Sequence, residues 1–475
     1  MIEIDKIPID IIQLITPDQA WFFNAIPIKL EGNTLTLAAN KDVDNRSLTD
    51  EMETITNYAV KIVHIENELI KRALNQYYRK NDTQSFEKNT NNQIHVNDDF
   101  LVKIILEAKD LRSSDIHLEP FEDKCRVRIR IDGQLIERYS LQKSEYPSIV
   151  NKIKIKANLD IAEKRLPQDG RIIIKSNNGE FDIRVSVLPT LYGEKIVLRL
   201  LSRDATNIEL SSLGFSEDEL KAYLQGIKKT HGLVLISGPT GSGKTTTLYA
   251  TLKKLNSPHV NIVTIEDPIE YTLDGINQVQ LKENIGLTFA SALRTFLRQD
   301  PDIIMLGEIR DDETAQMALR AALTGHLVLS TIHTNSAWGI VSRLIDMGIP
   351  SYVLSSTLNL AVAQRLVRLL CPKCKKEINI DNFEFPSGIK KRELPLTAYT
   401  NNGCDACYYT GYSGRKAIYE VINIDAEVAS EIKKATENNE NAQTMKDIPS
   451  LSDNAWRLFC EGQTSLDEIY PILLS

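Results

Sequence analysis

Cysteine is scarce in this chain, six in 475 residues, which excludes the disulfide framework of a small secreted scaffold. Long apolar runs are missing as well. No stretch of about 18 apolar residues occurs, so hydropathy excludes a membrane-spanning helix. The opening MIEIDKIPIDII lacks the basic start and apolar core of an export leader. The chain is accordingly expected in the cytoplasm, without direct membrane insertion. Positive charge is not in excess, since 56 Lys and Arg against 64 Asp and Glu leave a net charge of -8. No global field gathers nucleic acid, which is therefore not an expected partner, although a local basic patch stays open. Fixed-period repeats are absent. What remains is ordinary globular composition, 42% apolar and 25% charged, in a length that suits about three domains.

The first stretch, residues 1–78, mixes short strands (PIKLEG, TLTLAAN, VKIVHI) with a helical pattern (NELIKRALNQYY), which predicts a small α+β module for partner docking. Residues 79–97 contain RKNDTQSFEKNTNNQ, polar and rich in Asn, and read as a flexible linker. A second α+β domain is expected over 98–208. There CRVRIRIDGQLIER sets Val127, Ile129 and Ile131 against Arg126, Arg128 and Arg130 before an Asp-Gly turn. The segment RIIIKSNNGEFDIRVSVLP repeats the alternation about an Asn178-Gly179 turn. From residue 209 to 475, apolar strands alternate with helices, the outline of a parallel α/β sheet.

Chemistry enters with GPTGSGKTT. It follows an apolar strand, opens a helix and satisfies G-x-x-x-x-G-K-[ST]. Gly238, Pro239, Thr240, Gly241, Ser242, Gly243, Lys244, Thr245 and Thr246 are the expected nucleotide-binding residues. Glycines let backbone N–H groups crowd phosphate oxygens, Lys244 reaches the β/γ-phosphates of ATP, and Thr245 ligates Mg²⁺. Hydrolysis also needs carboxylates at neighbouring strand ends. TIEDPIEY supplies Glu266, Asp267 and Glu270, and DIIMLGEIRD supplies Glu308, with Gly307 where a Walker B motif usually carries Asp. Helix capping or solvent exposure is the other reading of these acids. Which of Glu270 and Glu308 is the general base stays open.

Two of seven histidines fall in TGHLVLSTIHTNSA, at 326 and 333. In an unbroken strand they point to opposite sides, roughly 23 Å apart at ~3.3 Å per residue. His333 belongs to the carboxyl end, where ligands bind, and is read as a sensor near the terminal phosphate; His326 is read as structural or as a subunit contact. Four cysteines form two CxxC pairs, Cys371 with Cys374 and Cys404 with Cys407, inside a subdomain read at 371–411. Four thiolates make a closed, structural zinc site, with redox chemistry as the alternative. Cys125 and Cys460 read as packing residues.

Together, GPTGSGKTT, TIEDPIEY, RQDPDIIMLGEIRDDETA, TGHLVLSTIHTNSA, AQRLVRLLCPKC and CDACYYTGYSGR resemble the secretion ATPase family of the GspE/PilB type, which powers type II secretion and type IV pilus assembly. SDIHLEP and RLPQDGR are similar to that family's second N-terminal domain. The resemblance implies an α/β P-loop NTPase domain of RecA-like fold behind smaller α+β domains, with a tetracysteine zinc subdomain. It also implies the missing Walker B Asp, and a homo-hexamer in which the second domain swings onto the nucleotide and offers arginines, here Arg171 and Arg184. Taken alone, Arg184 reads as the solvated face of a strand. Inner-membrane platform and docking proteins are the implied partners, holding the cytoplasmic ring at the membrane. The first module resembles the family's first domain only weakly and lacks the RLG-type opening tied to cyclic-di-GMP binding, so that ligand is not expected. The function read is an ATP-hydrolysing motor for pilin or pseudopilin assembly. A DNA-uptake or transport ATPase and a non-hydrolysing nucleotide-binding scaffold are the alternatives.

Overall fold

Residues 7–12, 14–41, 43, 45–78, 98–176, 179–201, 208–378, 395, 397–434 and 448–474 are described in the computed structural model. The linker read at 79–97 lies outside the described residues. Two compact units result, Met1–Ser202 with Gly403–Gly411, and Arg203–Asn402 with Tyr412–Ser475.

In the first unit, β1 (Ala25–Glu31) pairs antiparallel with β2 (Thr34–Ala39), and β2 pairs parallel with β3 (Ala59–His64). A parallel pair needs a crossover. The helix Asn45–Thr56 supplies it, and Leu48 and Met52 join Leu35 and Leu37 in a small core. The second sheet is antiparallel throughout. It comprises β4 (Asp115–Pro120), β5 (Lys124–Ile131), β6 (Gln134–Gln142), β7 (Gln168–Ser176), β8 (Gly179–Thr190) and β9 (Gly193–Leu201), in the order β6-β5-β4-β9-β8-β7. Cys125, Val127, Ile129 and Ile131 are buried under the helices Asp98–Asp110 and Tyr146–Lys156, while the intervening arginines take the open face. Asp132 and Gly133 both have positive φ, 47° and 88°, the requirement of a two-residue hairpin turn that matches strand twist. In the other hairpin Ser176 pairs with Gly179, and the turn read at Asn178-Gly179 falls partly outside the described residues.

The second unit is built on β10 (Gly232–Ser237), β11 (Ile262–Glu266), β12 (Asn277–Gln280), β13 (Ile303–Leu306), β14 (Leu327–Ile332), β15 (Leu358–Leu370) and β18 (Tyr412–Asn423). Their order is β12-β11-β13-β14-β10-β15-β18. All pairs are parallel except β15 with β18. Between them in sequence, β16 (Lys376–Ile378) and β17 (Ala398–Thr400) form a separate antiparallel pair. Every residue of β10, β13 and β14 is buried, as expected of a sheet covered on both faces. Alternate residues feed two cores. Leu233, Leu235, Ile304, Leu306 and Val328 enter one, and Val234, Ile236, Ile303, Met305 and Leu329 the other.

β14 is shorter than the strand read through both histidines. Its partner β10 pairs only from Gly232 to Ser237, opposite Leu327 to Ile332, so both histidines flank the strand. Parallel registry places the ends of β10, β11, β13 and β14 side by side.

Candidate nucleotide site

The loop after β10 takes backbone conformations that only glycine adopts without strain. Gly238, Gly241 and Gly243 have φ of 148°, 80° and 88°. Room matters as much. A Cβ on Gly238 would lie 2.5 Å from the Gln364 carbonyl and 2.6 Å from Ser242 Oγ. Buried Gln364 straps the loop to its helix, Lys244–Leu255, donating from Nε2 to the Ser242 carbonyl at 2.9 Å and accepting from Thr247 Oγ1 at 2.9 Å. Lys244 Nζ donates to the carbonyls of Gly238 at 2.8 Å and Pro239 at 3.1 Å. Burial lowers its pKa, and the Glu308 charge opposes the shift.

The donor set fits a nucleotide polyphosphate. The first-turn N–H groups of the helix have no intrahelical acceptor, the helix dipole favours an anion there, and Thr245 is exposed at its start. Ser242 Oγ is buried and has no hydrogen-bond partner among the described residues.

Glu308 follows β13 at the same sheet end. It accepts from Arg310 Nη2, and its Oε2 lies 3.4 Å from His333 Nε2. Its hydrogen bond raises the Arg310 pKa. The Thr331 hydroxyl donates to the Gly307 carbonyl at 2.8 Å, tying the ends of β13 and β14. His326 sits at the opposite end of β14, its Nδ1 2.9 Å from the Ala321 carbonyl that closes the preceding helix.

The acids of TIEDPIEY separate. Glu266 is buried and accepts from Tyr249, from Thr264 Oγ1 at 2.6 Å and from Gln278 Nε2 at 3.1 Å. Asp267 is exposed, 3.9 Å from Arg310 Nη2. Glu270 is half-buried, and its backbone N–H donates to the Tyr249 hydroxyl at 3.3 Å.

Two cations escaped the sequence reading. Arg310 stands between Glu308 and Asp267, and Arg365 stands against the loop, where a Cβ on Gly238 would meet its Nη1 at 3.2 Å. Arg365 also donates to Asn335 Oδ1 at 3.3 Å, and burial lowers its pKa against the Glu420 charge. An arginine inside the apolar run LAVAQRLV was the available signal.

Arg171 and Arg184 face each other across β7 and β8, within the first unit. Arg171 is ion-paired with Asp182. The register extends the row through Arg199 to Asp115 and Arg130.

The sulfurs of Cys371, Cys374, Cys404 and Cys407 all lie within 4.8 Å of one another. Cys404 and Cys407 Sγ are 3.8 Å apart, the spacing of about 3.8 Å expected for thiolates at about 2.3 Å from a tetrahedral zinc. N–H groups of Cys404 and Gly411 point at Cys407 Sγ from 3.2 and 3.3 Å. The cluster is compatible with zinc.

A glycine loop between a buried parallel strand and a helix, with a lysine over it and a carboxylate at the same end of the sheet, defines a P-loop nucleotide hydrolase. Residues 46–471 match the family described as type II/IV secretion system protein, and the chain belongs to that family, the secretion ATPases, as an ATP hydrolase. Residues 2–84 match the MshEN domain, a stretch where sequence reading found only a weak likeness.

The type IV pilus assembly ATPase PilB of Myxococcus xanthus is 42% identical, across 97% of this chain and 86% of that protein. The type II secretion system protein E of Pseudomonas aeruginosa is 47% identical, across 78% and 74%. Among solved structures, the pilus retraction motor PilT with bound ADP is similar at TM-score 0.52 and 26% identity, over 78% of this chain and 95% of that one. The ATPase DotB of Legionella pneumophila shares the fold, at TM-score 0.59 and 21% identity, over 81% and 97%. Among the described residues, no helix is long and apolar enough to cross a membrane.

Proposed function

We propose that this chain is a motor whose ATP turnover drives pilin or pseudopilin assembly, in type IV pilus biogenesis or type II secretion. It works as a cytoplasmic homo-hexamer, held at the inner membrane by platform and docking proteins. Residues 1–78 are the docking module, 98–208 the mobile second domain, and 209–475 the ATPase domain with its zinc subdomain at 371–411. The placement of Glu308, between Arg310 and His333 and within electrostatic reach of Lys244, is the observation that carries the reading.

Residues Gly238–Thr246 hold the ATP phosphates, and Thr245 would hold Mg²⁺, which would supply charge neutralisation for the phosphoryl group. Lys244 fixes the terminal phosphates. Glu308 and Glu270 order the attacking water, and His333 reports the terminal phosphate to the end of β14. Arg171 and Arg184 reach a phosphate when their domain folds over a site, neutralising the spreading charge. Cys371, Cys374, Cys404 and Cys407 hold a structural zinc.

Two substitutions test the clamp and the carboxylate separately. Lys244→Ala is expected to abolish hydrolysis and weaken nucleotide binding. Glu308→Gln is expected to keep ATP bound while stopping turnover, because a charge clamp and a water-ordering carboxylate fail differently. Equal loss of binding in both, measured by nucleotide titration and phosphate release, would remove the assignment. Salt-sensitive stimulation of turnover by DNA would favour the DNA-transport alternative. ATP binding without any phosphate release by the full chain would favour the scaffold.

A further inference from the structure

We infer that Tyr249 is a positioning residue for Glu270, joining the helix that begins at Lys244 to the segment after β11; the inference rests on the reading of Glu270 as a catalytic carboxylate. Glu270 lies in irregular backbone between β11 and β12. No ladder sets its position, so side chains must do so. Gln280 Oε1 accepts from the Ile269 N–H at 2.9 Å, and Gln278 Oε1 accepts from the Leu273 N–H at 2.7 Å. Gln278 Nε2 donates to the Tyr271 carbonyl at 3.1 Å. These bonds tie the segment to β12, an edge strand.

Tyr249 alone among these partners comes from the phosphate-loop helix. Its hydroxyl accepts from the Glu270 N–H at 3.3 Å and donates to Glu266. The ring is 1% exposed and packs edge-on against Tyr271, with centroids 4.5 Å apart. Bonds of opposite sense fix the hydroxyl, which also accepts from Gln278 Nε2 at 3.5 Å. The hydroxyl donates its O–H to Glu266, so the oxygen lone pairs are left to accept from the Glu270 N–H and from Gln278 Nε2. This gives the buried Glu266 a task. By accepting from the tyrosine, it orients the hydroxyl that holds the acid four residues further on. The distance from Lys244 to Glu270 is thereby set through one helix and one hydroxyl, and a misplacement of about 1 Å in a catalytic group costs on the order of 100-fold in rate.

Tyr249→Phe removes the hydroxyl and keeps the ring packing. In the full-length protein its kcat for ATP is expected to fall on the order of 10- to 100-fold, with the Kd for Mg-ATP unchanged. In a Glu270→Gln background the residual turnover should not fall further, because the tyrosine acts through that carboxylate. A merely structural tyrosine gives additive losses or weakened ATP binding, and either result overturns the inference. So does wild-type turnover in Tyr249→Phe when Glu270→Gln is impaired. Wild-type turnover in Glu270→Gln instead strikes down the catalytic reading of Glu270 on which the inference stands. Gln278→Ala keeps the tyrosine, loosens the same segment from β12 and removes the Nε2 that reaches the Tyr249 hydroxyl at 3.5 Å. Should Tyr249→Phe not fold, the same loss of kcat and non-additivity in Gln278→Ala decides.

Discussion

His333 and His326 are chemically identical and one strand length apart, yet their surroundings differ. His333 is half-exposed beside Glu308, where the parallel strands end, and His326 faces a helix carboxyl end. His333→Ala is therefore expected to lower turnover far more than His326→Ala, with phosphate release as the measurement; the reverse order would refute the strand-end reading. Glu119 makes a second prediction at this scale. Burial works against its charge, but hydrogen bonds from Arg128, Lys195 and Arg126 win and hold its carboxyl at about 2, below its ordinary 4.5. A lowered pKa contributes stability that is complete above the ordinary value and is lost as pH falls toward the lowered one. That contribution is on the order of 3 kcal/mol. The stability advantage of wild type over Glu119→Gln should thus shrink between about pH 4.5 and pH 2, read from unfolding curves across that range.

At the scale of elements, the alternation in β5 was readable because one face of its sheet is apolar and the other wet. The apolar runs of β10, β13 and β14 signalled a doubly covered sheet for the opposite reason. Strand ends were less readable, since β14 stops where β10 stops pairing, and that limit lies in another segment. The tetracysteine element makes the third prediction. One zinc per chain is expected, with Cys→Ser at 371, 374, 404 or 407 costing folding or assembly before chemistry, because a closed site has no open position for a reacting group. Elemental analysis finding no zinc, with all six cysteines titrating as free thiols, would remove it. Removing zinc by chelation should lower the melting temperature of the full chain.

For the whole molecule, the proposed tasks fall on different units. Arg171 and Arg184 belong to the first unit and Lys244 to the second, so the role proposed for the arginines requires both. A fragment from Leu213 to Ser475 is expected to bind ATP and hydrolyse it poorly. Deletion of residues 1–93 should spare basal turnover, since the core of the first module, from Ile7 to Tyr78, is separate from that beneath β4–β9. Phosphate release, with oligomeric state checked by light scattering, measures both. Full activity in the Leu213 fragment would reduce the two arginines to surface residues.

The loop Gly238–Thr246, the four cysteines and the carboxylates were legible in the sequence, because phosphate cradling and metal ligation demand particular residue types at short spacing. Tertiary structure decided where each acid sits. Glu266, Asp267 and Glu270 are near neighbours in sequence, but one is buried under Tyr249, Thr264 and Gln278, one is exposed, and one is half-buried. It also brought Arg365 to the phosphate loop, across more than 100 residues of chain. Sequence spacing prescribes chemistry that local backbone can deliver, whereas burial and the pairing of distant side chains exist only once the strands have found their neighbours.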